Sequence, residues 1–234
     1  MTDRFLLWDL DGTLVRVGQV SAAAFDRAVA DVTGRDVTRR PAMSGKTDPQ
    51  IVREYLEILD IRLDTPDEET VTLILRQLEV ALSELALRLS ETGEATPGSE
   101  AILRRMAEDP GVISSVLTGN IAPNAVTKLA AFGLDRWLDL EAGAYGSDHA
   151  DRLMLVPIAM RRAAELRGAR YLPDQVWVIG DTPRDLACAQ AAGVHCLLVG
   201  TGKTPADQLA GLGADAVLDD LSDTDRVAKI LTGF

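Results

Sequence analysis

The sequence predicts an α/β protein in which a doubly wound parallel sheet of the Rossmann type carries a smaller all-α domain. Three observations support this fold class. A short apolar segment near the N-terminus ends in acidic residues and is typical of a buried strand. A stretch with only helical patterns follows, over residues 15–93. From Val112 onward, apolar strands alternate with helices, which indicates right-handed crossovers and a parallel sheet.

Composition limits the classes of partner and location. The chain has 234 residues and a net charge of −12, and an acidic chain lacks the basic face that binds nucleic acid or an anionic membrane. Two cysteines do not suggest a disulfide framework. No apolar run reaches the roughly 18 residues that span a bilayer, and the N-terminus lacks the pattern of a secretory signal. We therefore expect no nucleic acid, no membrane and a cytoplasmic location.

The first predicted strand, Phe5 to Trp8, is followed by two carboxylates and a glycine, Asp9, Asp11 and Gly12. In open α/β sheets, ligands bind outside the carboxyl ends of the strands, so these acids stand where a site is expected. Two close carboxylates do not both ionise easily without a cation or a shared proton, which indicates a metal site or an acid beside a nucleophile. Gly12 allows a sharp turn that brings backbone N–H groups near an anion.

Residues 15–93 are predicted to form a helical domain inserted after the first strand. Helices are expected over 21–32, with Ser21 as the N-cap, and over 50–59. A longer helix is expected to start at the capping box Thr65-Pro66-Asp67-Glu68 and to extend to about residue 89. Its apolar side chains repeat at helical spacing and form one stripe for packing.

The remaining residues, 1–14 and 94–234, are assigned to the α/β core. After the first strand, core strands are predicted over 112–117, 175–179, 194–199 and 216–218, with a short strand within 138–145. The helices between them are predicted over 99–108, 122–132, 153–166 and 186–192.

Three of these strand ends carry polar side chains that would meet in one crevice if the strands are neighbours. They are Asp9, Asp11, Thr118, Asn120, Asp181 and Asp185. Converging carboxylates repel unless a hard cation binds them, and Mg²⁺ prefers oxygen ligands, so Mg²⁺ is the expected cofactor. The Thr118 hydroxyl and the backbone N–H groups at Gly119 suit a phosphoryl oxygen. One carboxylate could then accept a phosphoryl group while another transfers protons.

Three short motifs resemble motifs I, II and IV of the haloacid dehalogenase superfamily. They are Asp9-Leu10-Asp11-Gly12-Thr13, Leu117-Thr118-Gly119-Asn120 and Gly180-Asp181-Thr182-Pro183-Arg184-Asp185. The resemblance spans the whole chain in the right order, and the helical insertion resembles the cap domain that follows motif I in the family. The size of the cap and the motif set resemble the phosphoglycolate-phosphatase-like branch.

The resemblance implies a role for each motif residue. Asp9 would be the nucleophile, Asp11 the general acid and base, and Thr118 a ligand of the phosphoryl group. The metal site would comprise Asp9, Asp11 through its backbone carbonyl, and Asp181 with or through Asp185. The phosphate-binding residues would be Gly12, Thr118, Gly119, Asn120 and Arg152.

Motif III of the family is a basic residue, usually lysine, that neutralises the nucleophile and the phosphate. Residues 146–152 occupy the corresponding position in this sequence and contain no lysine. We assign the role to Arg152, because arginine offers a bidentate fork. The alternative is a surface ion pair of Arg152 with Asp148 or Asp151. Lys128 is the rival for this role, although its position in the middle of a predicted helix favours a solvated side chain.

The loop that contains Gly45, Lys46 and Thr47 resembles the cap loop that faces the substrate in the family. Lys46 or Thr47 could contact the non-reacting end of the substrate, and a plain surface turn is the alternative.

The expected function is that of a Mg²⁺-dependent phosphatase acting on a small phosphorylated metabolite through an aspartyl-phosphate intermediate. A phosphomutase of the same superfamily would share every core residue, and a catalytically idle binding protein could retain the fold. Dehalogenation of 2-haloacids is a further alternative. Asp11 counts against it, since the dehalogenases of the family lack a carboxylate at that position.

Overall fold

The computed structural model describes residues 3–61 and 68–233. The strands within them are β1 Arg4–Trp8, β2 Val15–Arg16, β3 Glu94–Ala95, β4 Val112–Thr118, β5 Ala144–Tyr145, β6 Val176–Gly180, β7 His195–Val199 and β8 Ala216–Leu218. Six strands form a parallel sheet in the order β5-β4-β1-β6-β7-β8, and β2 pairs antiparallel with β3. The prediction of a parallel α/β sheet is confirmed, and the three strands that end in polar motifs are neighbours.

Both faces of the sheet are covered by helices. The helices among the described residues are α1 Val20–Thr33, α2 Asp48–Ile58, α3 Glu68–Glu84, α4 Ala86–Thr92, α5 Ser99–Ala107, α6 Ala122–Ala131, α7 Leu155–Arg167, α8 Pro183–Ala192, α9 Ala206–Leu209 and α10 Thr224–Thr232. Side chains alternate along β1, so that Leu6 and Trp8 join one buried cluster and Phe5 and Leu7 join the other. The sheet is therefore doubly wound, as predicted.

The register of the central strands sets the position of the motifs. Trp8 of β1 pairs with Val116 of β4 on one side and with Ile179 of β6 on the other. Because the three strands are parallel, the residues that follow them emerge at the same edge of the sheet. The chain segments after β1, β4 and β6 thus meet at one place.

Helices α1 to α4, which we call the helical insert, lie between β2 and β3. The two-residue strands pair with each other, so the chain leaves the core and returns to it side by side. The apolar face of the insert is continuous with one of the two core clusters, through residues such as Phe25, Tyr55 and Leu78. Among the described residues, no helix is both long enough and apolar enough to cross a bilayer.

Two details of the insert differ from the sequence-based prediction. Ser21 is not an N-cap, because α1 already begins at Val20, after Gln19. The long helix is interrupted at Leu85, where α3 ends, and α4 then packs against α6 of the core. The predicted capping box cannot be compared, since residues 65–67 lie outside the described residues and only Glu68, the first residue of α3, lies within them.

Candidate active site

A cavity of about 490 Å³ lies at the carboxyl ends of β1, β4 and β6 and is bounded by the helical insert. The core contributes Asp9, Thr118 and Asp181 to its wall, one from each strand end. The insert contributes Phe25 of α1 and Met43 of the loop before α2. Polar groups from three strands and an apolar wall therefore enclose one space, which is the usual arrangement of a small-molecule site.

Arg152 is buried beside Asp9 and Asp185. Its Nη2 atom donates to Asp9 Oδ1 at 2.8 Å and to Asp185 Oδ1 at 2.5 Å. The residue begins a short 3₁₀ turn that leads into α7, and the Asp151 side chain caps this turn at the Leu153 N–H. The guanidinium therefore points into the core, whereas Asp148, with which a surface pair was the alternative, binds Arg162.

Asp9, Asp181 and Asp185 form a buried cluster in which one carboxylate oxygen of each lies within 4.8 Å of the others. Burial raises the pKa of Asp9 to about 7 and that of Asp181 to about 8, and Arg152 opposes both shifts. One guanidinium cannot balance three ionised carboxylates, so the cluster either retains protons, as the raised pKa values of Asp9 and Asp181 indicate, or binds a further cation. A buried cluster of oxygen donors with this charge fits a divalent cation.

Two glycines lie against the Asp181 carboxylate and leave space for it. A Cβ atom on Gly202 would lie 1.6 Å from Asp181 Oδ2, and a Cβ atom on Gly12, whose φ is +98°, would lie 2.5 Å from it. Asp185 is occupied differently, because its Oδ2 atom accepts from Thr182 N at 3.0 Å and from Thr182 Oγ1 at 2.7 Å. Asp9 and Asp181 thus have the oxygens that are freer to bind a metal.

Asp11 lies outside this cluster and has partners of its own. Lys128 Nζ donates to both carboxylate oxygens of Asp11, at 2.9 and 2.7 Å, and Asn120 Nδ2 donates to Asp11 Oδ2 at 2.8 Å. The expectation that Lys128 is solvated is wrong, since the side chain is buried. Its helix position, three residues after Ala125 and next to Leu129, could have indicated this.

The other predicted phosphate-binding residues lie around the Thr118 hydroxyl. Asn120 Nδ2 donates to Thr118 Oγ1 at 2.7 Å, which orients the hydroxyl oxygen within the cavity wall. Gly119 and Gly12 also line the cavity. The sequence-predicted residues of motifs I, II and IV are therefore brought together, and Asp11, although outside the carboxylate cluster, is joined to Asn120 and Lys128 in the cavity wall.

The loop before α2 contacts the core directly. Thr47 Oγ1 donates to Ala150 O at 2.6 Å, and Asp48 N donates to Gly119 O at 2.7 Å. A Cβ atom on Gly119 would lie 2.0 Å from Lys46 O, so only glycine permits this approach. Gly45 and Lys46 line the cavity, whereas Thr47 is buried in the contact between loop and core.

Asp48 has a place in the site that was not predicted. It is buried, lines the cavity, and accepts from the Ile121 N–H at 2.8 Å. Burial raises its pKa to about 7, and the charge of Lys128 opposes this shift. Nothing in the local sequence separates Asp48 from an ordinary helix-initiating aspartate, because its role depends on the insert folding onto the core.

Comparisons with known proteins agree with this fold. The family model described as HAD-hydrolase-like matches residues 155–224. The chain is 29% identical over 219 residues to a phosphoglycolate phosphatase of Cupriavidus necator, which covers 92% of this chain and 89% of the relative. It is 26% identical over 230 residues to a probable phosphatase, IndB, of Dickeya dadantii, and the match covers 97% of this chain and 94% of the relative.

A solved structure shows the same fold along the full length. The crystal structure of CbbY from Rhodobacter sphaeroides in complex with phosphate superposes with a TM-score of 0.72, at 19% identity, over 95% of this chain and 96% of that chain. The fold, the order of the motifs and the similarity along the chain agree, so the predicted resemblance to the haloacid dehalogenase superfamily is confirmed, and the chain is similar over most of its length to phosphatases among its curated relatives.

Proposed function

We propose that this chain is a Mg²⁺-dependent phosphatase that hydrolyses a small phosphorylated metabolite through an aspartyl-phosphate on Asp9. The observation that carries the proposal is the contact of Arg152 with Asp9 at 2.8 Å, beside Asp181 and Thr118 in one cavity. A carboxylate attacks a phosphoryl group only where the negative charge of both is neutralised, and a buried guanidinium beside the nucleophile supplies part of that neutralisation.

The residues divide the reaction into two steps. In the first, Asp9 attacks phosphorus, the bond from phosphorus to the leaving oxygen breaks, and protonated Asp11 gives its proton to that oxygen. In the second, water attacks the same phosphorus, passes a proton to Asp11, and the bond to Asp9 breaks to release phosphate and restore the carboxylate. Thr118 and Arg152 hold the phosphoryl oxygens in both steps.

Asp9 and Asp181 would hold Mg²⁺, with the backbone carbonyl of Asp11 as the resemblance implies. When bound, the ion supplies positive charge that neutralises the phosphoryl oxygens and the buried carboxylates. Asp185 would act through Arg152, because its own oxygens are engaged by Arg152 and Thr182.

Without a divalent cation, we expect the stability of the folded protein to fall as the pH rises from about 5 to about 8. Asp9, Asp48 and Asp181 have pKa values of about 7, about 7 and about 8, above the ordinary carboxyl value of 3.8. The folded state therefore binds more protons than the unfolded state in this window, so its stabilisation by these groups is complete at low pH and is lost as they ionise.

Thermal unfolding in EDTA at a series of pH values measures this dependence. Added Mg²⁺ should raise the melting temperature most at pH 8, where the folded chain presents ionised carboxylates. A melting temperature that rises between pH 5 and pH 8 in EDTA would contradict the proposed site, as would one that Mg²⁺ does not change at any pH.

The helical insert is proposed to act as a cap over the cavity. The contacts of Thr47 and Asp48 with the core describe a closed arrangement, in which water is excluded from the phosphoryl group. Substrate entry would require these contacts to open.

The cavity wall favours a leaving group that carries negative charge. Within the described part of the chain, four cationic side chains line it besides Arg152 and Lys128, and three of them are paired with acidic residues outside the lining, Glu94, Asp26 and Glu54. The cationic residues are Arg16, Arg40, Lys46 and Lys203. A carboxylate or a second phosphate on the metabolite would suit this wall, as would phosphoglycolate, the substrate in the name of the C. necator relative.

Replacing Lys203 with glutamine is expected to raise KM for an anionic substrate by about threefold to tenfold. The ammonium of Lys203 has no hydrogen bond or ion pair with any residue in the described ranges, so the substitution removes a charge without breaking a contact of the fold. Steady-state kinetics with phosphoglycolate measure the change, and p-nitrophenyl phosphate, whose leaving group has no carboxylate, is the comparison. An equal change in KM for both substrates would contradict the proposal that Lys203 recognises the negative charge of the leaving group.

A panel of phosphate esters, assayed with Mg²⁺ and with EDTA, tests the proposed function as a whole. We expect release of inorganic phosphate from p-nitrophenyl phosphate and from small anionic phosphate esters only when Mg²⁺ is present. A shifted phosphate ester as the product, with no free phosphate, would indicate a phosphomutase instead. A well-folded protein that releases no phosphate from any ester would support an idle binding protein.

A further inference from the structure

Lys128 is a buried cation that belongs neither to the carboxylate cluster around Asp181 nor to the phosphoryl site at Thr118. Its side chain is 4% exposed. Its Nζ atom donates to Asp11 Oδ1 at 2.9 Å, to Asp11 Oδ2 at 2.7 Å and to Asn120 Oδ1 at 2.7 Å. An ammonium has three N–H groups, so the whole hydrogen-bonding capacity of Lys128 is directed at Asp11 and its neighbour.

Asp11 needs such support because it is the most open of the catalytic carboxylates. Its side chain is 39% exposed in the cavity, and without partners an aspartate in that setting has several χ1 rotamers open to it. Lys128 holds it from one side and the Asn120 amide, at 2.8 Å, from the other. The amide is itself fixed, since it also donates to Thr118 Oγ1.

Packing alone does not explain a lysine at this position. Lys128 shares the buried face of α6 with Asn124, Ala125 and Leu129. A methionine would fill such a position without the desolvation penalty that a charge carries. The buried ammonium is instead balanced by Asp11, and Asp48 of the insert lies close enough to feel its charge.

We infer that Lys128 is a positioning residue that acts through Asp11, holding this carboxyl where it exchanges a proton with the leaving oxygen and then with water. The inference rests on the proposed phosphatase function. Lys128 and Arg152 then have separate tasks: Arg152 serves the nucleophile, and Lys128 serves the group that transfers protons.

The test is a double-mutant cycle with Lys128→Met and Asp11→Asn, read as kcat/KM for an alkyl phosphate and for p-nitrophenyl phosphate with saturating Mg²⁺. We expect Lys128→Met to lower kcat/KM for the alkyl ester by about 10- to 100-fold. The loss for the p-nitrophenyl ester should be smaller, because nitrophenolate leaves without a proton. In the Asp11→Asn background, Lys128→Met should have almost no further effect.

Lys229→Met is the matched control, since Lys229 is exposed on α10, and it should match the wild type. Equal losses for both esters, or losses that multiply in the double variant, would overturn the inference and assign Lys128 a structural role. If Lys128→Met does not fold, Lys128→Gln, whose amide can still donate to Asp11, takes its place in the cycle with a smaller expected loss, which should again be larger for the alkyl ester and absent in the Asp11→Asn background. A wild type that hydrolyses neither ester would instead refute the proposed function, and the inference with it.

Discussion

Asp9→Asn is expected to lower kcat by roughly 10⁴-fold or more, because it removes the atom that forms the bond to phosphorus. An amide of the same shape keeps the size of the side chain but is not a nucleophile. The thermal stability of this variant should rise, whereas its activity should fall. Asp9 shares its buried cluster with Asp181 and Asp185, so the loss of one negative charge should raise the melting temperature in EDTA at pH 8.

The two measurements together separate catalysis from folding. Trapping of a phosphorylated protein, labile to hydroxylamine, is expected for the wild type and not for Asp9→Asn. Asp219→Asn, a change of the same chemistry at an exposed position, should leave both quantities as they are. Labelled phosphate on an Asp9→Asn protein, or activity within tenfold of the wild type, would show that another group is the nucleophile.

Arg152→Met is expected to cost both activity and stability. Arg152 Nη2 is bonded to Asp9 and Asp185 at once, so its removal leaves two buried carboxylates without their cation. Breaking a buried ion pair in this way typically destabilises a protein by about 3–5 kcal/mol. Activity should fall by about 10³-fold, since a cation that neutralises the nucleophile and the phosphoryl group is lost.

Urea unfolding at pH 8 and steady-state kinetics measure the two effects. Arg152→Lys is the informative companion, because a single ammonium could reach both carboxylates but cannot reproduce the planar fork, and we expect intermediate values of both quantities. Arg161→Met, on the exposed face of α7, is the matched control. Full stability in Arg152→Met would contradict the expected loss and show that the guanidinium does not stabilise the buried carboxylates.

The sequence-based prediction of the core succeeded where local pattern and topology agree. Apolar runs marked the strands that flank β1, and polar motifs at their ends predicted one convergent site, because parallel strands present their carboxyl ends at one edge. Two-residue strands such as β2 and β3, and the four residues of α9, are too short to show a period. Helix α10 was also missed, although the Asp223 side chain caps it at the Arg226 N–H.

Residues of the site that depend on the insert could not be predicted in the same way. Asp48 and Arg40 enter the cavity because the insert folds onto the core, and their sequence neighbours carry no sign of that contact. Lys128 was misjudged for another reason: its charge was weighed more heavily than its place on the buried face of α6. A buried lysine needs an acid opposite it, and Asp11 is distant in sequence.

The close packing of the loop before α2 against the core depends on two glycines at the contact. Gly119 and Gly146 have no side chains, and a methyl group on either would overlap a backbone oxygen, Lys46 O in one case and Gly119 O in the other. An alanine at either place would push the loop before α2 away from the core and leave the cavity more open to bulk solvent. Under the proposed mechanism, how closely this loop packs would thus decide partly which water molecules reach the phosphoryl group.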